Sequence, residues 1–515
     1  MATGELPDGR GRATIAGAVA ALAGLAAAEL FGLVLPGRPS PVTAVADRVI
    51  SAMPDGPREA LIGAVGTLDK PLLVVGIVAV VVGGGALIGR WCARVPGRAP
   101  WLFAAGAALG WLVGLDGITE DVVALGLVVA VGATVASLAW MRLVPAPAWS
   151  DREPDAGPQV DRRTVLRAAG LIGVASVVGL GVVTVARRSG AAAVDAVRTA
   201  LRIPAPTHPA PALPTGVTPD VPGLAPAVTA NADFYQIDVS LTPPTVDVGS
   251  WTLTIDGRVD TPLTLTYDDL LAMPSIERYV TLTCVSNEVG GDLVSNARWQ
   301  GVRLTDLLAK VGVHPDADLV LGRAVDGFSV GFPRAVLDDG RDAMVVYAMN
   351  GEPLPVRHGF PVRMVVPGLY GYVSATKWLE QIKLTTLDDD VPFWFARGWS
   401  TDGRIEASSR IDVPRDGDQV RAGTVAVGGR AWHQHTGVGS VEVSVDGGPW
   451  QPARLAAPMG VDTWRLWSFA WSASAGRHTL AVRMHDLDGT VQSALVRPVF
   501  PGASSGLHTI SVDVL

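Results

Sequence analysis

Cysteine is nearly absent from this chain: its 515 residues include two, Cys92 and Cys284. Two cysteines so far apart exclude a disulfide framework, and no CxxC metal site is present. Charge is also scarce, with 17% of residues charged and a formal net charge of -8. No basic stripe runs along the sequence, which argues against nucleic acid as a partner. All eight histidines lie from His208 onward, so haem held by paired histidines between N-terminal helices is excluded. What is plentiful is apolar: 49% of residues are hydrophobic and the mean hydropathy is +0.33. A membrane portion follows, and the length predicts about three domains.

Uncharged apolar runs long enough to approach the hydrocarbon thickness fall at 13–35, 71–89, 100–115, 122–141 and 168–186, the third being short. They predict an all-α transmembrane bundle of about five helices over 1–186. Arginines precede the first run (Arg10, Arg12), follow the second (Arg90, Arg94, Arg98) and follow the fourth (Arg142, Arg152, Arg162, Arg163, Arg167), whereas the "DGITED" segment after the third carries only acids. The positive-inside rule then sets the N-terminus in the cytoplasm and everything after the fifth helix outside. The run "DRRTVLRAAGLIG" has two readings, a twin-arginine export signal or a basic flank that only orients the helix. Glu29, inside the first run, is either a functional carboxylate or one that reaches the interface near its helix end.

From 187 to 229 the chain turns proline-rich, "IPAPTHPAPALPTGVTPDVPGLAPAV", and reads as a semi-extended spacer that stands the following domain off the membrane. Over 230–395 short strands alternate with short helices. "TYDDLLAMP" has Thr266 as N-cap with Asp268 and Asp269 in the first turn, and "LTDLLAKVG" is a second helix. This is an α+β domain. From 396 to 515 short alternating strands between Gly and Asp turns predict an all-β sandwich of immunoglobulin type.

The stretch "YVTLTCVSNEVGG" puts Cys284 at the end of a β-like run, just before an irregular loop. A thiolate there suits a soft metal or nucleophilic attack; a buried small hydrophobe is the plain alternative. Thiol catalysis needs a general base beside the sulfur, and no histidine is adjacent in sequence. Further on, "HGFPVRMVVPGLYGYVSATKW" brings His358, Arg363 and Lys377 into one largely apolar stretch, where cations can hold an anionic cofactor.

"TLTCVSNEVGGDLVSNARWQGVRLTDLL" together with "HGFPVRMVVPGLYGYVSATKWLEQI" closely resembles the sulfite oxidase family of molybdopterin-dependent oxidoreductases. "NADFYQIDVSLTPPTVDVGSWTLTIDG" resembles its entry segment, and "VEVSVDGGPWQPARL" with "WRLWSFAWSASAGRHTLAVRMHDLDGTVQ" its immunoglobulin-like dimerisation domain. The likeness covers roughly 230–515 and rests on several motifs in order. It implies a Mo-molybdopterin cofactor with Cys284 as the protein's thiolate ligand to the metal. Carried over by motif, Asn231, Tyr235 and Gln236 line the pterin, Asp326 matches its acidic ligand, and His358, Arg363, Ser374, Thr376 and Lys377 hold the pterin and its phosphate.

The departures are informative. Sulfite-oxidising members place arginine shortly after the cysteine; here Glu288 stands in that neighbourhood and would repel sulfite. They also carry a tyrosine beyond the "KW" strand, where "PFWFARGWS" offers Trp394, Arg397 and Trp399. Arg397 either touches an anionic substrate or packs on an aromatic ring. With no haem domain in view, electrons pass to a separate carrier, a cytochrome or a quinone-linked protein. The reading is a multi-pass membrane-anchored, extracytoplasmic molybdenum oxidoreductase that transfers an oxygen atom to or from a small substrate, with a homodimer implied by analogy. The rival is a non-catalytic cell-envelope protein that keeps the scaffold without the metal.

Overall fold

The structure, a computed structural model, describes residues 9–35, 40–52, 69–115, 122–144, 162–240 and 243–515. The "DGITED" segment and Arg152 lie outside them. The chain divides into two compact units, Met1–Ala192 with Asp238–Pro243, and Ala193–Ile237 with Pro244–Leu515.

The first unit is helical: α1 (Gly9–Gly32), α2 (Pro41–Ala52), α3 (Asp69–Trp91), α4 (Ala99–Gly114), α5 (Val122–Leu143) and most of α6 (Arg162–Ala200). Four of these, α1, α3, α5 and α6, are long and apolar enough to cross a membrane. The third expected span forms as α4, but its 16 residues rise only about 24 Å, short of a hydrocarbon core of about 30 Å. The α2 helix was not anticipated; it lies in the connection between the first two apolar runs. Glycine makes the helix contacts close. A Cβ on Gly24 would sit 2.5 Å from Gly132 O, and one on Gly85 would sit 2.5 Å from Gly17 O, so backbones meet directly, as small-residue packing in membranes requires.

The expected spacer differs from the structure in two ways. Helix α6 continues through Ala200, because "GAAAVDAVRTA" is rich in the strongest helix former and Arg198 pairs with Asp195 one turn back at 2.7 Å. Beyond Ala200 the proline-rich stretch is laid against the second unit: Gln300 Nε2 donates to Pro204 O at 2.8 Å, His208 N to Ser275 O at 3.0 Å, and Thr229 N to Asn296 O at 2.8 Å.

In the second unit, β1 (Thr252–Gly257), β2 (Leu263–Thr266), β5 (Leu319–Ala324), β6 (Ser329–Pro333) and β10 (Leu379–Thr385) form one sheet in the order β2-β1-β10-β5-β6, with β1 and β10 parallel. A second sheet runs β3 (Ile276–Thr283), β4 (Val294–Arg303), β7 (Met344–Met349) and β8 (Glu352–Pro353), with β9 (Arg363–Val365) paired to β7. Helix α7 (Tyr267–Ala272) starts on the expected N-cap Thr266, which also forms a capping box with Asp269, and α8 (Leu304–Val311) ends at left-handed Gly312. The short α9 (Gly371–Ser374) precedes β10.

The chain closes with two antiparallel-rich sheets. One is β11 (Ser408–Val413), β13 (Gly423–Trp432), β17 (Arg465–Ala473) and β16 (Arg454–Leu455); the other is β12 (Gln419–Val420), β19 (Thr509–Val514), β18 (Gly476–Asp486), β14 (Val438–Val445) and β15 (Gln451–Pro452). Trp467, Val443, Leu480 and Val512 fill the space between them, an immunoglobulin-like sandwich.

Candidate functional site

Cys284 follows the last residue of β3 and is buried at 9% exposure. Its loop is tightly closed: Cys284 N donates to Leu293 O at 3.0 Å and Asn287 N to Cys284 O at 3.1 Å, while Asn287 Oδ1 accepts from Leu293 N at 2.8 Å. Tyr235 and Tyr370 are near enough for a charge on Cys284 to raise both phenols, after burial itself, which is the larger cause for each. Arg363 pulls Tyr235 the other way.

A glycine brings the cationic residues together. Gly359 has φ +109°, and a Cβ there would sit 3.0 Å from Arg363 Cβ and 3.1 Å from Lys377 Cα, so only glycine lets this turn fold. Arg363, 5% exposed, donates to His358 O at 3.2 Å and lies over the Trp299 ring at 5.1 Å, a cation–π contact. His358 is 1% exposed, and its Nε2 lies 3.0 Å from Asn231 O; a carbonyl only accepts, so Nε2 carries the proton. Burial holds His358 down to about 4, with Arg363, Lys377 and Arg357 adding to the effect and the Asn231 bond opposing it. Lys377 Nζ donates to Ile237 O at 3.1 Å and lies 4.8 Å over the Trp378 ring.

Not every expected residue aims at the same place. Asn231 spends its side chain on Met349 O at 3.2 Å and Asn350 Nδ2 at 2.8 Å, so it shapes the segment that orients His358. Gln236 is exposed in that segment. Ser374 Oγ donates to Tyr370 O at 3.0 Å within its own short helix. Asp326 Oδ1 accepts from Phe328 N at 3.2 Å in a tight turn, whose Val325 N bonds Trp378 O at 3.0 Å. Arg397 stacks on Phe393 at 3.4 Å and donates to Phe393 O at 3.0 Å, within an aromatic group in which Trp399 meets Trp394 at 5.8 Å, Tyr372 at 5.7 Å and Phe500 at 5.4 Å. Glu288 is exposed on the cysteine loop. Sequence reasoning missed Tyr370, Trp299 and Thr283; Tyr370 stands in plain view in "PGLYGY", but nothing in its spacing sets it apart from a core aromatic.

Two buried hydroxyls, Thr283 Oγ1 and Thr376 Oγ1, have no hydrogen-bond partner. Thr283 adjoins Cys284 and Thr376 adjoins Lys377. Leaving such a group unsatisfied costs about 1–3 kcal/mol, so the chain by itself is incomplete here. A soft sulfur, cations and unfilled hydroxyls suit an anionic, polar metal cofactor, and the residues present fit Mo-molybdopterin. In the helical unit, by contrast, Glu29 is satisfied: Ser40 Oγ donates at 2.7 Å, Val42 N at 3.2 Å and Arg187 at 3.0 Å.

The family described as "Oxidoreductase molybdopterin binding domain" matches residues 240–393, and a "Bacterial Ig domain" matches 408–482. Mitochondrial sulfite oxidase of Macaca fascicularis is 33% identical over 325 residues, 53% of this chain and 58% of that protein. The oxidoreductase YuiH of Bacillus subtilis is 35% identical over 182 residues, 35% of this chain and 87% of that protein. Among solved structures, the sulfane dehydrogenase SoxCD from Paracoccus pantotrophus aligns over 56% of this chain and 81% of that chain, at 24% identity and a TM-score of 0.49. The match spans little more than half the length of the mitochondrial enzymes.

Fold and site together define a molybdopterin-binding domain joined to an immunoglobulin-like one. The chain belongs to the sulfite oxidase family of molybdopterin-dependent oxidoreductases, whose cofactor is Mo-molybdopterin.

Proposed function

We propose that this protein is a membrane-anchored oxidoreductase working outside the cytoplasm, and that it removes oxygen from a small neutral oxide such as a sulfoxide. The observation that carries the reading is buried Cys284 at the head of a closed loop, with the partnerless hydroxyl of Thr283 beside it and that of Thr376 beside Lys377. Cys284 would be the thiolate ligand; Arg363, His358 and Lys377 would hold the pterin and its phosphate, Tyr235 and Gln236 would line it, and Thr283 and Thr376 would find partners in it. When bound, the cofactor supplies two-electron oxygen-atom transfer.

The chain's own residues shape what can approach. Both phenols stay protonated, because burial and the neighbouring thiolate each disfavour a second negative charge. Tyr370 Oη already accepts from Glu406 N at 3.3 Å, and its proton has no acceptor among the described residues, so it is left to donate to an oxygen-bearing ligand. The nearby wall is aromatic. Gly371, whose missing Cβ would lie 3.8 Å from Tyr235 Oη, leads into Tyr372 and the Trp399 group, while Arg397 is engaged on Phe393. With Glu288 also on the cysteine loop, a neutral, weakly polar substrate is favoured over sulfite. Reduction of a sulfoxide consumes two electrons and two protons and yields a sulfide and water, so a separate carrier, a cytochrome or quinone-linked donor, must deliver the electrons. If the short α4 crosses as a fifth span, the arginines after the second and fourth apolar runs, against the acids after the third, orient the helices with the catalytic domain outside.

The test is metal analysis and turnover on full-length protein purified in detergent. Stoichiometric molybdenum is expected, with faster turnover on sulfoxides than on sulfite and a loss of at least about 100-fold in Cys284→Ser. A well-folded wild type without molybdenum would return the protein to a scaffold role.

A further inference from the structure

We infer that the immunoglobulin-like domain is part of the metal site's support: it clamps the Cys284 strand and loop from both sides, and Ser504, Arg410 and His508 are positioning residues for the thiolate. The inference rests on the reading of Cys284 as the metal's ligand only for its consequence at the metal.

The argument starts from an edge. Strand β3 lies at the end of its sheet, so one side of its backbone has no strand partner within that sheet, and an uncovered edge leaves donors and acceptors idle. The sandwich supplies them three residues before the cysteine: Thr281 N donates to Asp462 O at 3.0 Å, and Thr281 O accepts from Gln434 Nε2 at 2.9 Å. The same domain takes hold again after the cysteine. Ser504 Oγ donates to Asn287 O at 2.7 Å, and Arg410 donates to Gly291 O. Between those two carbonyls, Gly290 adopts φ +81°, and a Cβ there would run into the His508 ring. That ring is itself fixed, since His508 Nδ1 accepts from Ile411 N at 3.0 Å.

Cys284 is therefore bracketed by five contacts that all originate in the sandwich. Asn287 is the link that turns them into control of the sulfur, because its backbone bonds Cys284 O and its side chain closes the loop at Leu293. A metal ligand needs its sulfur held to a fraction of an ångström, and supporting residues that fix it are what give such sites their geometry.

The test is alkylation of full-length, cofactor-free protein by iodoacetamide at one pH, with modification at Cys284 read by peptide mass spectrometry. Ser504→Ala removes one loop bond and is expected to raise the rate about tenfold; Ser504→Thr, which keeps the hydroxyl, should return it to within about twofold of wild type. Gly290→Ala displaces the loop by collision with His508, and its increase should exceed that of Ser504→Ala. Val443→Ala weakens the sandwich core away from the loop and should leave the rate unchanged below its melting temperature. In cofactor-loaded protein, Gly290→Ala is expected to shift the paramagnetic resonance lines of the reduced form. Equal rates in wild type, Ser504→Ala and Gly290→Ala, or an equal rise in Val443→Ala, would overturn the inference. Alkylation needs no metal, so a protein that binds no molybdenum yet shows these rate changes loses the functional reading and keeps the clamp.

Discussion

The two units solve opposite burial problems. In the helical unit most of the buried residues are alanine, with Ala20 and Ala99 at 0% exposure beside a few large ones such as Trp140 at 1%, whereas Val80 is 74% exposed, Leu171 72% and Trp101 78%. In the catalytic unit Trp299 and Trp467 are at 0% and Val345, Leu379 and Val443 also at 0%. Apolar side chains exposed along whole helices suit surroundings as apolar as they are, and there helices associate through close backbone contact rather than through hydrophobic burial. Glu29 has every donor it needs inside its own unit, while Thr283 and Thr376 are buried without partners beside the cysteine and the lysine. A satisfied buried charge reads as architecture, and two partnerless hydroxyls that adjoin the cysteine and the lysine read as a place for a polar ligand.

The strongest way to break the comparison is to put a large side chain where the helical unit demands a small one. Gly85→Leu would drive its Cβ against Gly17 O and Ala21, whereas a Cβ at Gly84 has nothing within 4 Å. In detergent, Gly85→Leu should lose about 3 kcal/mol or more of resistance to denaturation, and Gly84→Leu should stay within about 0.5 kcal/mol of wild type. Equal behaviour of the two would mean that these helices do not meet at glycine.

A second, smaller effect probes the charge. Glu29→Gln leaves Arg187 without its carboxylate, and since the arginine side chain is 31% exposed the loss should be about 2 kcal/mol, below the range for a fully buried pair. Arg187→Gln added to Glu29→Gln should recover most of it, read from the same denaturation curves. A double substitution as damaging as the sum of two singles would show that the residues act separately.

How much of this was legible in the sequence depends on range. Capping at Thr266, the stop at Gly312 and the alternating strands of the sandwich depend on neighbours a few residues apart, and they were readable. Cys284 and the "HGFPVR" turn stood out through the family resemblance rather than through any local pattern, since a lone cysteine and a few cations by themselves read equally as core and surface. The spacer was misread at both ends: alanine kept the helix going past Arg187, and the prolines that look like a free linker were recruited by a sheet edge nearly 70 residues downstream, where His208 meets Ser275. Arg397 shows the same limit from the other side. The residue type fits an anion, but the ring that claims it, Phe393, sits four positions earlier and gives no sign in sequence of which use prevails. The contacts of Ser504 and Arg410 with the cysteine loop join residues more than 100 positions apart, and no local pattern could announce them.

The smallest effect separates the two kinds of buried group by pH. His358 is neutral in the folded protein and is held down to about 4, first by burial and then by Arg363, Lys377 and Arg357, against an unfolded value of about 6.5. Below the unfolded value the unfolded chain binds a proton that the folded one refuses, so stability falls as pH drops from about 6.5 toward 4 and is fully present above that window. Between pH 7.5 and 5.5 the loss from this residue should be about 1 kcal/mol. His508 is lowered in the same direction, by burial first and by Arg410 next, and it steepens the slope. In His358→Gln the slope of unfolding free energy against pH over this range should flatten, most clearly in cofactor-free protein, since a bound phosphate would itself draw a proton toward the histidine. An unchanged slope in that variant would mean that His358 titrates as an ordinary exposed imidazole. It would then not be part of a rigid, cationic wall of the site.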